Sequence, residues 1–163
     1  MVKWIKLTKN QYFGFFALGL VLFTLQELPY IVMPLIPPPA SNPLMEMQDK
    51  SIPLNIAEKA LGISCIVAML FLVRGDAAWF PLNTRKEKLF FSAAMMAIAG
   101  YFAGWALYYN GYQPLPLIIG ALVAMPPVYY ACIGLWRRNY ALAVLGCLFL
   151  MAHIANVWVN LAT

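Results

Sequence analysis

Glu27, Lys59 and His153 are an acid, an ammonium and an imidazole, each set inside a long run of apolar residues. Together such groups can pass a proton or hold a small polar ligand. An ionisable side chain at the centre of a lipid-embedded helix costs about 2.5–3.5 kcal/mol on insertion scales, so each needs a partner or water. Asn156 and Asn160 follow His153 at i+3 and i+7, which puts all three on one helical stripe. Thr24 stands at i−3 from Glu27 and extends polarity on that face, while Gln26 is expected to point elsewhere.

Depth draws the three ionisable groups together. At 1.5 Å per residue, Glu27 lies about 9 Å short of the end of its run near Met33. Lys59 lies about 7–8 Å past Leu54, and His153 about 9 Å short of Val159. Helical side chains lean toward the helix N-terminus. With the orientation argued below, Lys59 leans outward and can snorkel. Glu27 leans toward the membrane centre on a short stem. Glu58 reads as a near-interface residue. The expectation is a polar pocket of Glu27, Lys59, His153, Asn156 and Asn160 in the outer half. The competing reading is a hydrogen-bond network that fixes helix packing.

These residues must be positioned by membrane helices. The chain has 163 residues, 63% hydrophobic and 10% charged, with mean hydropathy +0.74. Soluble domains carry about 25% charged residues, so the composition excludes a water-soluble globule and a disordered chain. The apolar runs fall at about 12–36, 54–73, 89–109, 115–136 and 140–161. Each is near the ~20 residues that cross a bilayer core, and they lack the alternation of a transmembrane barrel. The expected fold is an all-α integral membrane protein, a single bundle of five transmembrane helices. Span one is read as retained, since no small-residue cleavage site follows it.

Charge orients the bundle. Lys3, Lys6, Lys9, Arg74, Arg85, Lys86, Lys88, Arg137 and Arg138 all fall on one side, nine of the eleven basic residues. The positive-inside bias then places the N-terminus in the cytoplasm and the C-terminus outside. This distribution accounts for the net charge of +5 without a nucleic-acid partner. A multi-pass protein of the plasma membrane, bacterial in type, is the expectation, with the lipid bilayer as its solvent.

The remaining signals concern packing. Gly100 and Gly104 form a GxxxG pattern in span three, suited to close helix approach within the bundle or to a membrane-protein partner or second copy. Pro126-Pro127 should kink span four. Asn83 or Thr84 can cap span three. Trp105, Tyr108, Tyr109, Tyr112, Trp136 and Tyr140 read as interfacial aromatics. The segment from Pro37 to Pro53, with Pro37-Pro38-Pro39 and Leu44/Met45/Met47, reads as a stiff strap over the outer mouth. Cys65, Cys132 and Cys147 show no pairing and read as packing residues. One histidine falls short of a metal site, and no cofactor fingerprint or nucleophile motif occurs, so the reading leans away from an enzyme. Two roles are expected. One is binding or helping transport a small ligand in the outer pocket. The other is an accessory subunit of a larger membrane complex, docking through the GxxxG face. An intramembrane enzyme on a lipid-like substrate comes third.

Overall fold

The computed structural model describes residues 1–37, 39–76 and 78–162, so the middle residue of the Pro37-Pro38-Pro39 run lies outside the described residues. The fold is mostly helical. Five helices are long and apolar enough to cross a membrane: Ala17–Leu35, Ile52–Phe71, Arg85–Tyr109, Leu115–Trp136 and Tyr140–Leu161. We label them α1 (Ala17–Val32, ending in a 3-10 turn, Met33–Leu35), α2 (Ile52–Phe71), α3 (Arg85–Tyr109), α4 (Leu115–Trp136) and α5 (Tyr140–Ala162).

Not everything is helix. Val2–Lys6 (β1), Gln11–Phe15 (β2) and Leu72–Arg74 (β3) form an antiparallel sheet in the order β1-β2-β3. Gln11 pairs with Arg74 and Phe13 with Leu72, and a bulge interrupts β1 between Lys3 and Ile5. This corrects the all-α expectation and the span limits: residues 12–15 and 72–73 belong to strands. The cause lies in the residues themselves. Tyr12, Phe13 and Phe15 are aromatic, with high strand preference, and an apolar run alone does not distinguish strand from buried helix. Phe13 stacks on Phe71 with centroids 5.8 Å apart, which holds the sheet against the end of α2.

The core lies where α4 packs on α3 and α5, with α2 against α5 and α1 joined mainly through α2. Thr84 caps α3 with a reciprocal box. Its hydroxyl accepts from the Glu87 amide (3.2 Å) and Glu87 accepts from the Thr84 amide (2.9 Å). Gly104 faces α4: a Cβ there would meet Ala121 at 2.6 Å and Leu122 at 3.0 Å. Gly100 faces Met125, so the GxxxG face is used inside the molecule. The tightest crossing is elsewhere. A Cβ on Gly134 would lie 2.5 Å from the Ala143 amide, and one on Gly146 2.7 Å from the Ala131 amide. Glycines on α4 and α5, each set against an alanine of the other helix, thus bring the two backbones together.

The prolines of α4 do not simply break it. Residues Ile118–Val123 form a π-helical segment, and the Ala124 amide reaches the Ile119 carbonyl at 2.9 Å. The α-helix then restarts at Met125 with Pro126 and Pro127 in its first turn, where no amide donor is required. The aromatics expected at interfaces divide. Tyr112 and Tyr140 are exposed, but Trp105, Tyr108 and Trp136 are buried. Tyr108 donates to Asn42 (2.8 Å) and accepts from the Leu44 amide (3.1 Å), while Trp136 donates to the Pro81 carbonyl (2.6 Å). Their polar atoms tie connecting segments down. Leu44 and Met47 pack on the core and Met45 is exposed, so the strap lies over one end of the bundle. Of the cysteines, Cys65 is buried and Cys147 exposed, and all three are free thiols.

Candidate functional site

At the strap end, a cavity of about 240 Å3 opens between α1, α2, α4 and α5. Helix α1 supplies Gln26, Glu27 and Tyr30, α2 supplies Glu58 and Lys59, and α5 supplies His153. The three ionisable groups singled out by depth, Glu27, Lys59 and His153, therefore line one space. No ion pair joins Glu27 to Lys59 or His153 among the described residues. Lys59 is exposed and Glu27 half-buried.

The residue that completes the site is Glu58. Its Oε1 lies 2.5 Å from His153 Nδ1, and its Oε2 accepts from Asn156 Nδ2. Both ring and carboxylate are mostly buried. This corrects the reading of Glu58 as a near-interface residue. An ionised carboxylate only accepts, so opposite one Nδ1 is the donor and Nε2 lies outside this contact. Phe149 stacks on the imidazole, centroids 5.0 Å apart at 23°. Gly62 makes room for that ring, since a Cβ there would sit 3.3 Å from it.

The polar stripe of α5 behaves as one chain. Asn160 Nδ2 donates to Asn156 Oδ1 at 3.2 Å, and Asn160 Oδ1 accepts from the Lys50 amide at 2.8 Å. Asn156 and Asn160 do not line the cavity. They link the dyad to the strap. A continuous path thus runs from the Lys50 backbone through both asparagines to Glu58 and His153. Where every polar group lacks water, such linkage satisfies each donor and fixes each side chain.

A second correction concerns Gln26, expected to point elsewhere. It is buried, lines the cavity and accepts from Tyr130 Oη at 2.6 Å. Tyr129 makes a parallel contact, donating to the Leu22 carbonyl at 3.0 Å. These two tyrosines follow the proline turn of α4 and tie α1 to it. Thr24 is exposed and takes no part in the cavity lining. Beyond the cavity wall, Tyr30 packs edge-on against Trp105 (5.7 Å). The buried Tyr101 hydroxyl and Trp105 Nε1 have no hydrogen-bond partner among the described residues. For metal chemistry the donor set is short: among the described residues no three histidine, cysteine, aspartate or glutamate side chains gather.

Chemically, the arrangement is a carboxylate–imidazole dyad, oriented from behind by an amide and stacked on a phenyl ring. A second carboxylate and an ammonium share its cavity. Comparison with protein-family models, curated proteins and solved structures finds no match to this chain.

Proposed function

We propose that this chain is a multi-pass membrane protein that binds, or helps to transport, a small polar ligand in the strap-end cavity. Its basic end faces the cytoplasm, in keeping with the positive-inside bias, and the strap end faces outside. The observation that carries the reading is the Glu58–His153 pair, held by Asn156 and bordering the cavity that Glu27 and Lys59 also line. Buried ionisable groups that touch a cavity suit ligand or proton handling better than pure packing does. In this role His153 Nε2 takes a proton from the ligand or gives one back, and Glu58 stabilises the imidazolium. Gln26 and Tyr130 fix one wall by their mutual hydrogen bond.

The accessory-subunit alternative loses its expected docking face, because Gly100 and Gly104 already pack against α4. The ligand reading is tested by native mass spectrometry of the chain purified from its host membrane. A bound small molecule should be present in the wild type and reduced at least tenfold in His153→Ala and Glu27→Gln. Asn55→Ala, whose side chain bonds Asp49 away from the cavity, should retain it. Equal occupancy in all four proteins would refute the assignment.

A further inference from the structure

The opposite end of the bundle carries a second polar cavity, of about 150 Å3, lined among others by Arg74, Asp76, Glu87, Arg137 and Arg138. It shares Arg74, Glu87 and Arg138 with an adjoining, largely apolar cleft of about 720 Å3 that reaches Lys86, Leu89 and Phe90. Four cationic side chains therefore meet two carboxylates.

Both carboxylates are engaged. Asp76 holds the Arg74 guanidinium at 2.8 and 2.7 Å, and that hydrogen bond keeps its carboxyl below the usual range. Glu87 accepts from Arg138 at 3.1 Å and from the Asn83 and Thr84 amides at 2.9 Å each. Arg137 is left without a carboxylate among the described residues. Its guanidinium donates to the Ala78 and Trp79 carbonyls at 2.6 and 3.1 Å and lies 4.2 Å from the Phe16 ring centroid. The residue is only 7% exposed, and burial pushes the guanidinium down to about 10. A buried arginine with neutral partners alone retains a charge that an anion would neutralise.

The backbone adds a second observation. Arg138 has φ +54. The Asn139 amide reaches the Gly134 carbonyl (2.8 Å) and the Arg138 amide the Leu135 carbonyl (3.1 Å). This is a Schellman ending with arginine at the left-handed position that glycine or asparagine ordinarily takes. A cation suits a helix C-terminus, but the left-handed backbone is strained for arginine; it sets the Arg138 guanidinium on Glu87 where the cavity and the cleft join.

We propose that the arginine cavity and its cleft form a site for a phosphate group bearing an apolar tail, the phosphodiester of an anionic membrane lipid. The phosphate occupies the cavity of Arg74, Arg137 and Arg138. The first part of an acyl chain lies along Leu89 and Phe90. The lipid source rests on the membrane reading above, since this end then sits at headgroup level, where basic pockets between helices hold anionic headgroups.

The test uses the full chain in neutral detergent, with phosphatidylglycerol, phosphatidylcholine or inorganic phosphate at one ionic strength. Binding is read by native mass spectrometry and by the shift in Tm. Phosphatidylglycerol should stay bound and raise Tm, and phosphatidylcholine should do neither. Arg138→Asn, which suits the left-handed backbone, should keep the lipid-free Tm and weaken phosphatidylglycerol by about tenfold, the loss of one charge-assisted hydrogen bond. Lys86→Gln should weaken it less. Equal retention of both lipids, or unchanged phosphatidylglycerol binding in Arg138→Asn, would overturn the site. Protection by inorganic phosphate equal to that by the lipid would overturn the lipid assignment. Alkaline carbonate separates the two readings: a chain released from membranes by carbonate fails as a membrane protein. A chain that resists carbonate yet ignores phosphatidylglycerol fails only here.

Discussion

A double-mutant cycle on Glu58 and His153 discriminates between a working dyad and ordinary packing. The perturbations are Glu58→Ala, His153→Ala and the two together. Neutral hydrogen bonds between membrane helices couple by about 0.6 kcal/mol on average, with a ceiling near 1.7 kcal/mol. A hydrogen bond to an ionised carboxylate contributes about 1.5–3 kcal/mol. The Glu58–His153 contact is 2.5 Å long, and the two side chains are 15% and 19% exposed, so solvent screens it little. Coupling should therefore reach about 2 kcal/mol, above the neutral ceiling. Glu58→Ala alone should cost more, about 3 kcal/mol, because it also strips Asn156 of its acceptor. The assay is unfolding in mixed micelles by increasing sodium dodecyl sulfate, followed by tryptophan fluorescence. A coupling at or below about 0.6 kcal/mol would refute the charged dyad and leave an ordinary structural network.

Three further outcomes follow from the packing. Gly146→Ala should cost about 1–3 kcal/mol in the same assay, since its Cβ would lie 2.7 Å from backbone. Gly120→Ala, with nothing within 4 Å of the new carbon, should be neutral. Asn139 accepts from the Leu142 amide and donates to the Ala68 and Leu72 carbonyls at 3.0 and 3.2 Å, so Asn139→Ala should cost about 2–3 kcal/mol. Asn139→Asp keeps the cap but sets a buried carboxylate oxygen against both carbonyls, so it should cost at least as much. Tyr101→Phe should change Tm little, because its buried hydroxyl has Tyr30 and Trp105 beside it but makes no well-formed hydrogen bond among the described residues. Tyr130→Phe, which loses the bond to Gln26, should lower it.

How much of this was legible in the sequence depended on which signal lipid leaves intact. The long apolar runs gave all five helices, because length and hydropathy alone define them. The α5 stripe was legible because polar residues at i, i+3 and i+7 mark a face even when everything around them is apolar. The sheet was not legible, since Tyr12 to Phe16 and Leu72 to Val73 simply extend apolar runs. Glu58 was missed by an argument about depth. One position from Lys59 and about as close to the helix end, it reads by depth as a near-interface residue. Successive helical residues point about 100° apart, so the two differ in surroundings: Glu58 turns to α5 while Lys59 stays exposed. The polar stripe on α5 finds its acceptor in that carboxylate.

Gln26 and Glu27 pose the same problem one helix away, and both turn out to border the cavity. In a soluble helix the apolar stripe reports which side is buried. Here both sides are apolar, so only small and polar residues carry that information. GxxxG spacing marks Gly104, while the closer crossing, Gly134 against Ala143 and Gly146 against Ala131, has its two glycines on different helices and no local pattern. Reciprocal approach of that kind depends on the register between α4 and α5. That register is set in turn by the π-helical segment ahead of Pro126, which rotates every later residue of α4, Tyr129 and Tyr130 included. A local reading of prolines yields a kink; what positions the cavity wall is the rotation that comes with it.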